Sequence, residues 1–166
     1  ELTGNADLTR RFAQEARIGA QIESEHVVEV VGAGIDQETG STWLAMELLQ
    51  GDDLSVHLRK TGPLSPAATL ELFEQLSHAL AAAHDKRIVH RDLKPENIFL
   101  ATGGRAQGSF TLKVLDFGIA KMMNEVRTSR TGAMGTPLWM APEQADMGTR
   151  IDASTDVWAM GLIAFR

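Results

Sequence analysis

Between residues 88 and 100 the chain reads IVHRDLKPENIFL, in which two apolar ends bracket His90, Arg91, Asp92, Lys94, Glu96 and Asn97. An imidazole, a guanidinium, two carboxylates, an amine and an amide in so short a run can hold an anion, a hard cation or a proton in transit. The plainest reading is a solvated loop whose charges cap and pair with one another, which suits Glu96 as well as any chemical role and suits Asp92 poorly. A zinc site built on His84, His90 and Asp92 is disfavoured, because no two histidines of the chain stand at the i, i+4 spacing that brings two ligands to one helix face.

The run contains H-R-D-x-x-x-x-N, with His90, Arg91, Asp92 and Asn97 in the fixed positions. Nineteen residues after Asn97 comes Asp116-Phe117-Gly118, and Ala141-Pro142-Glu143 follows at the far end of a long irregular stretch. A D-F-G triplet alone arises often by chance, whereas HRDLKPEN is long enough to discriminate, and the order of all three motifs discriminates further. Together they resemble the catalytic loop and activation segment of protein kinases. The resemblance covers the whole chain, since RFAQEARIGAQI is similar to the C-helix of bacterial (Hanks-type) serine/threonine kinases and DVWAMG to the start of their F-helix.

The resemblance implies transfer of the ATP γ-phosphate to serine or threonine hydroxyls of proteins, with ATP and Mg²⁺ as cofactors and Mn²⁺ as a substitute metal. The transferred group is heavily charged, so a metal must be held, a hydroxyl oriented and charge neutralised. Asp92 then accepts or orients the hydroxyl proton, Lys94 contacts the γ-phosphate, and Asn97 and Asp116 offer oxygens to the metal. The D-L-K-P-E-N wording is similar to the Ser/Thr-specific loop. Adenine is expected along STWLAMELLQGDDL, with Met46 as gatekeeper, the Glu47 carbonyl and Leu49 main chain at its edge, Asp53 at the ribose and Phe99 beneath the ring. Met46 and Phe99 are equally suited to ordinary core packing.

Other positions are implied to be structural or regulatory. His90 is expected to be a buried, hydrogen-bonded histidine, and Phe117 and Gly118 complete the metal-binding triplet. Glu15 matches the C-helix glutamate that pairs with the V-A-I-K lysine. Arg91 resembles the arginine that pairs with a phosphate on the activation segment. Thr131 is the first choice of phosphosite there, followed by Thr128 and Ser129, although RTSRT also reads as a solvated polar loop. Thr136 in Gly135-Thr136-Pro137 resembles the threonine that sits near the catalytic aspartate, and Glu143 the glutamate that an arginine further along usually pairs.

These residues need a frame. Apolar periodicity predicts a helix over residues 7 to 23, and VVEVVGAGI and STWLAMELL flanking the turn cluster DQETG predict two antiparallel strands. A short helix is expected from Asp53 to Lys60. Ser65-Pro66 opens a long one that buries Leu72, Phe73, Leu76, Ala79, Leu80 and Ala83 and ends near His84. IVH, NIFL and FTLKVLD are strand-like, with TGGRAQGS as a hairpin loop. The fold class is α+β, a protein-kinase-like two-lobe fold expected to be truncated at both ends. Residues 1–50 form part of the small lobe (C-helix, two strands and hinge); residues 51–166 form part of the large lobe, as far as the start of the F-helix.

The 166 residues, 43% apolar and 23% charged, suit one domain or most of one. A net charge of -6 gives no global positive field for nucleic acid, and the absence of cysteine excludes a disulfide framework and a thiolate zinc site. No apolar run nears the roughly 18 residues that span a bilayer, and the start lacks a signal peptide pattern. The expected location of this kinase domain is cytoplasmic, without membrane contact from this segment, the alternative being a full-length protein anchored to a membrane through its flanks. The expected partners are protein substrates and a second copy for autophosphorylation.

Against the family pattern, a glycine-rich loop and the V-A-I-K lysine are missing from the sequence, SEHVV stands where H-P-N-I-V is common, and Gly19 replaces a larger residue. The last helical pattern has no stop signal, so the chain is read as a fragment. The alternative is a pseudokinase or truncated kinase-fold interaction module without transfer. A small-molecule phosphotransferase of similar fold is disfavoured by the A-P-E and GTPLW segments. Thr131→Ala is expected to abolish phosphate on the activation segment as read by mass spectrometry, and unchanged phosphorylation would refute the choice.

Overall fold

The computed structural model describes residues 21–39, 41–102, 110–117, 137–146 and 149–165. Glu15, Gly118, Thr131, Thr136 and the expected helix over residues 7 to 20 lie outside them. The end expected for that helix does not form: residues 21–23 are not helical, and Ile22 turns into the core at 7% exposure.

Strands β1 (Val30–Ile35) and β2 (Thr42–Met46) pair antiparallel in a sheet of two strands. Asp36 closes the turn between them, its Oδ1 accepting the amides of Glu38 at 3.1 Å and Thr39 at 2.7 Å, which is the local bond that makes Asp a turn former. The half-exposed Trp43 indole lies across the β1 glycines: a Cβ on Gly34 would stand 2.6 Å from the ring. Met46 is 40% exposed, so the packing role its type suggested is not what the structure gives it.

A second sheet has the order β3-β4-β5, all antiparallel, from Gly51–Asp53, Ile98–Ala101 and Thr111–Val114. Gly51 has φ 136, and a Cβ there would meet the Leu100 carbonyl oxygen at 2.1 Å, so only glycine fits. The register aligns Asp53, Phe99 and Lys113 as one rung, and cross-strand partners point to the same face of a sheet. The stretch before β1 docks on β5, with Val28 N–H donating to the Val114 carbonyl and Val114 N–H to that of His26.

Helix α1 (Leu54–Thr61) starts where the Asp53 carboxylate accepts the Val56 amide at 2.8 Å. Helix α2 (Pro66–Asp85) starts at Ser65, whose hydroxyl accepts the Ala68 amide, with Pro66 in the first turn. Leu72, Leu76, Ala79, Leu80 and Ala83 are buried as the periodicity predicts, but Gln75 is buried too and Phe73 only partly so. Gln75 earns its place by accepting the Leu112 amide at 2.7 Å and donating to the Phe110 carbonyl at 3.3 Å, which satisfies main-chain groups of β5. Each leucine so buried contributes about 1.5–3 kcal/mol.

α2 ends without glycine. Arg87 adopts φ 60, its amide donating to the His84 carbonyl while Ile88 N–H reaches back to Ala83, a Schellman closure. The IVH stretch that follows is not a strand, because it runs under the last helix instead of along a sheet edge. The one-turn α3 (Pro142–Ala145) and α4 (Ala153–Ala164) complete the described elements. Among the described residues no helix is long and apolar enough to cross a membrane. Arg87→Gly should stabilise the protein by about 1 kcal/mol by removing the Cβ clash of a left-handed residue, seen as a higher denaturation midpoint; a lower midpoint would contradict the strain.

Candidate active site

The polar run at residues 90–97 hangs between the end of α2 and β4, and a buried carboxylate from α4 fixes its first half. Asp156, 1% exposed, accepts the His90 amide through Oδ2 at 2.9 Å and the Arg91 amide through Oδ1 at 2.9 Å. Its Oδ2 also takes Nε2 of His84 at 2.8 Å. Arg91 has φ 69, a left-handed conformation that costs a non-glycine residue on the order of 1–3 kcal/mol. Two charge-assisted bonds from one carboxylate are of the size needed to hold it there.

His90 is fully buried and bonded at both ring nitrogens. The Asp92 amide donates to Nδ1 at 3.3 Å, so Nε2 carries the hydrogen and donates to the Leu115 carbonyl at 2.8 Å. Its ring meets Phe117 edge-on at 4.8 Å, so one imidazole joins the loop to the D-F-G segment. Gln144 adds a second tie, accepting the Ala141 amide and donating to the Arg91 carbonyl at 2.7 Å. Glu143 accepts the Thr155 hydroxyl at 2.7 Å, which anchors A-P-E on α4.

The second half of the run carries the candidate reactive groups. Lys94 Nζ donates to Asp92 Oδ2 at 2.7 Å, and with side chains 24% and 31% exposed both are open to water, so the pair can part to admit an anion. A one-turn 3₁₀ segment at Pro95–Asn97 delivers Asn97, whose Nδ2 donates to the Asp92 carbonyl at 2.8 Å and approaches Asp92 Oδ2 at 3.3 Å. That orientation of the amide leaves Oδ1 as its free oxygen. Asp116, at φ 57, follows Leu115, whose amide donates to the Asn97 carbonyl at 2.9 Å.

These donors suit the cofactors that the motifs imply. Mg²⁺ takes oxygen ligands and is commonly bound by one or two protein groups together with substrate phosphates. Among the described residues no group of His, Cys, Asp and Glu forms a cage for a metal by itself, and the amide oxygen of Asn97 and the carboxylate of Asp116 are the kinds of oxygen that a phosphate-chelated ion takes.

The adenine-side candidates gather around the β3-β4-β5 rung. Phe99 and Asp53 share that rung, one Asp53 oxygen already engaged in capping α1. The Glu47 amide donates to the Glu29 carbonyl at 2.9 Å, so its carbonyl is the group left for a ligand; Leu49 lies just beyond, partly buried and outside any strand. The Glu47 side chain accepts the Glu29 amide at 2.9 Å and Lys113 Nζ at 2.6 Å. Partial burial pushes its carboxyl up, but the bonds from Lys113 and Glu29 and the lysine charge outweigh that and hold it below the usual glutamate value.

Sequence reasoning missed Asp156, His84, Gln144, Thr155 and Lys113 as parts of this assembly. The DVW stretch offered a signal for Asp156; nothing in the spacing pointed to Lys113. A cleft of about 390 Å³ opens beside the loop, with Leu58 and Arg59 of α1, Glu96 and Trp139 in its walls.

The protein kinase domain family matches residues 3–166 of the chain. The serine/threonine-protein kinase pkn2 of Myxococcus xanthus is 36% identical over 100% of this chain and 20% of its own length. PknA of Mycobacterium tuberculosis, also named a serine/threonine-protein kinase, is 35% identical over 99% of this chain and 38% of its own. The chain thus spans well under half the length of these relatives. A crystal structure of the Mycobacterium tuberculosis PknI kinase domain superposes with a TM-score of 0.71 at 27% identity, covering 95% of this chain and 55% of that one.

Asp156→Asn turns an acceptor of several donors into a group that faces them with an N–H of its own. A loss of about 3–5 kcal/mol is expected from breaking this buried network, measured as a shift in denaturant midpoint; a loss under about 1 kcal/mol would show that Asp156 does not hold the loop.

Proposed function

The chain belongs to the protein kinase family, and on that premise we propose that the protein of which it is part transfers the γ-phosphate of ATP to serine or threonine hydroxyls of proteins. The observation that carries the reading is the convergence of Lys94 and Asn97 on the Asp92 carboxylate, with Leu115, the neighbour of Asp116, bonded to the Asn97 carbonyl.

In this reading Asp92 orients the acceptor hydroxyl and takes its proton as the bond to phosphorus forms, a role that requires a carboxylate within hydrogen-bond reach of the substrate. Lys94, already at 2.7 Å from Asp92, moves to the incoming phosphate and neutralises charge as it develops. Asn97 Oδ1 and the Asp116 carboxylate would hold Mg²⁺, which supplies electrostatic stabilisation of the transferred group. Phe99, Asp53, the Glu47 carbonyl and the Leu49 main chain would receive the nucleoside. The backbone fixed by Asp156 keeps these groups in place before substrate arrives, so little reorganisation is needed at reaction.

The cleft between α1 and Trp139 would take the peptide around the acceptor, and a second copy of the protein is a candidate substrate through Thr131, with Arg91 receiving the resulting phosphate. Division of labour between residues 1–50 and 51–166 belongs to the same proposal, as does a cytoplasmic working location. Intact Asp92, Asn97 and Asp116 weigh against the pseudokinase alternative. In the full-length protein Asp92→Asn should lower kcat by at least about 100-fold while nucleotide binding persists; transfer at the wild-type rate would overturn the assignment.

A further inference from the structure

Lys113 falls in none of the motifs, yet its side chain joins the two sheets. It stands on β5 on the rung of Asp53 and Phe99, and in an antiparallel sheet such partners project from one face. From that face its Nζ reaches Glu47 Oε1 at 2.6 Å, across a sequence separation of 66 residues. Glu47 Oε1 also accepts the Glu29 amide at 2.9 Å, and the Glu47 amide donates to the Glu29 carbonyl, so the residue is held at both its side chain and its main chain.

We propose that Lys113 is a positioning residue for the nucleotide: it fixes the end of β2 over the β3-β4-β5 rung, and so sets the distance between the adenine-edge carbonyl of Glu47 and the Phe99 ring that would carry the adenine. The inference rests on the kinase reading above and deepens it. The pair is suited to the task. Its side chains are 16% and 27% exposed, which shields the attraction from water and salt more than at an open surface without the full desolvation cost of a buried pair. Partial burial raises the Glu47 carboxyl, but the bonds from Lys113 and the Glu29 amide and the lysine charge hold it below the usual glutamate value. The link acts between two separate sheets, where it constrains spacing and not strand formation. Lys113 is also three residues from Asp116 on the same strand exit, so the face that meets adenine and the carboxylate that meets metal share one rigid support.

The test uses the full-length protein and its Lys113→Met and Lys113→Arg variants. Affinity for Mg·ATP is read by calorimetry, KM and kcat by peptide phosphorylation, and unliganded stability by thermal melting. Lys113→Met is expected to raise both the ATP dissociation constant and KM for ATP about 5- to 20-fold, a range set by loss of one partly shielded charged bond, with kcat within about 2-fold of wild type. Lys113→Arg should restore most of the affinity. Wild-type ATP affinity in Lys113→Met overturns the inference, whether or not the melting temperature falls, because the lysine would then serve stability alone. A fall in kcat at unchanged KM overturns it as well. Absence of ATP binding by the wild-type protein would instead bring down the kinase reading, and this inference with it.

Discussion

One buried carboxylate governs the geometry of this site. Asp156 is shielded from solvent and meets the main chain of two successive residues, His90 and Arg91, the second of them in a left-handed conformation. A carboxylate in such surroundings is costly unless it is hydrogen-bonded, and here His84 and the two amides supply three partners. The cost and the constraint are two aspects of one arrangement. Satisfying the carboxylate fixes the main chain at His90 and Arg91, and Asp92 follows directly from it.

The same logic extends outward through His90. Its two ring nitrogens tie the Asp92 amide to the Leu115 carbonyl, and its ring meets Phe117 edge-on, so the loop is linked to the segment on both sides of Asp116. Gln144 and Thr155 fasten the A-P-E turn to the loop and to α4. Asp92, Asn97 and the A-P-E turn are thus parts of one hydrogen-bonded body, to which, among the described residues, the β1-β2 sheet is connected through the Val27–Val28 stretch and the Glu47–Lys113 pair.

The polar loop was legible as a candidate because the chemistry that the resemblance implies asks for a base, a cation and an amide on one short loop, and HRDLKPEN displays all three. Helix starts were legible for a related reason, since Asp53 and Ser65 cap through side chains that sequence displays. Contacts made over long sequence distances were not. Asp156 lies 66 residues from the amide it accepts, and Gln75 looks like a surface residue until β5 is placed against it. Arg87 carries no mark of the left-handed turn it makes, because that conformation is imposed by Ile88 and Ala83 closing the helix end. The exposure of Met46 and the irregular course of Ile88–His90 are likewise set by what packs nearby and not by residue type.

The placement of the aromatic residues has an optical consequence. The chain contains three tryptophans and no tyrosine, so its ultraviolet emission comes from indole alone. Trp43 lies half-exposed on the β1 glycines, Trp158 half-exposed on α4, and Trp139 is at 8% exposure beside the catalytic loop. The shorter-wavelength part of the spectrum therefore belongs to the cleft and the longer-wavelength part to the β1-β2 sheet and the last helix. Occupation of the cleft and rearrangement of the β1-β2 sheet would colour opposite ends of one emission band, without any label attached to the protein.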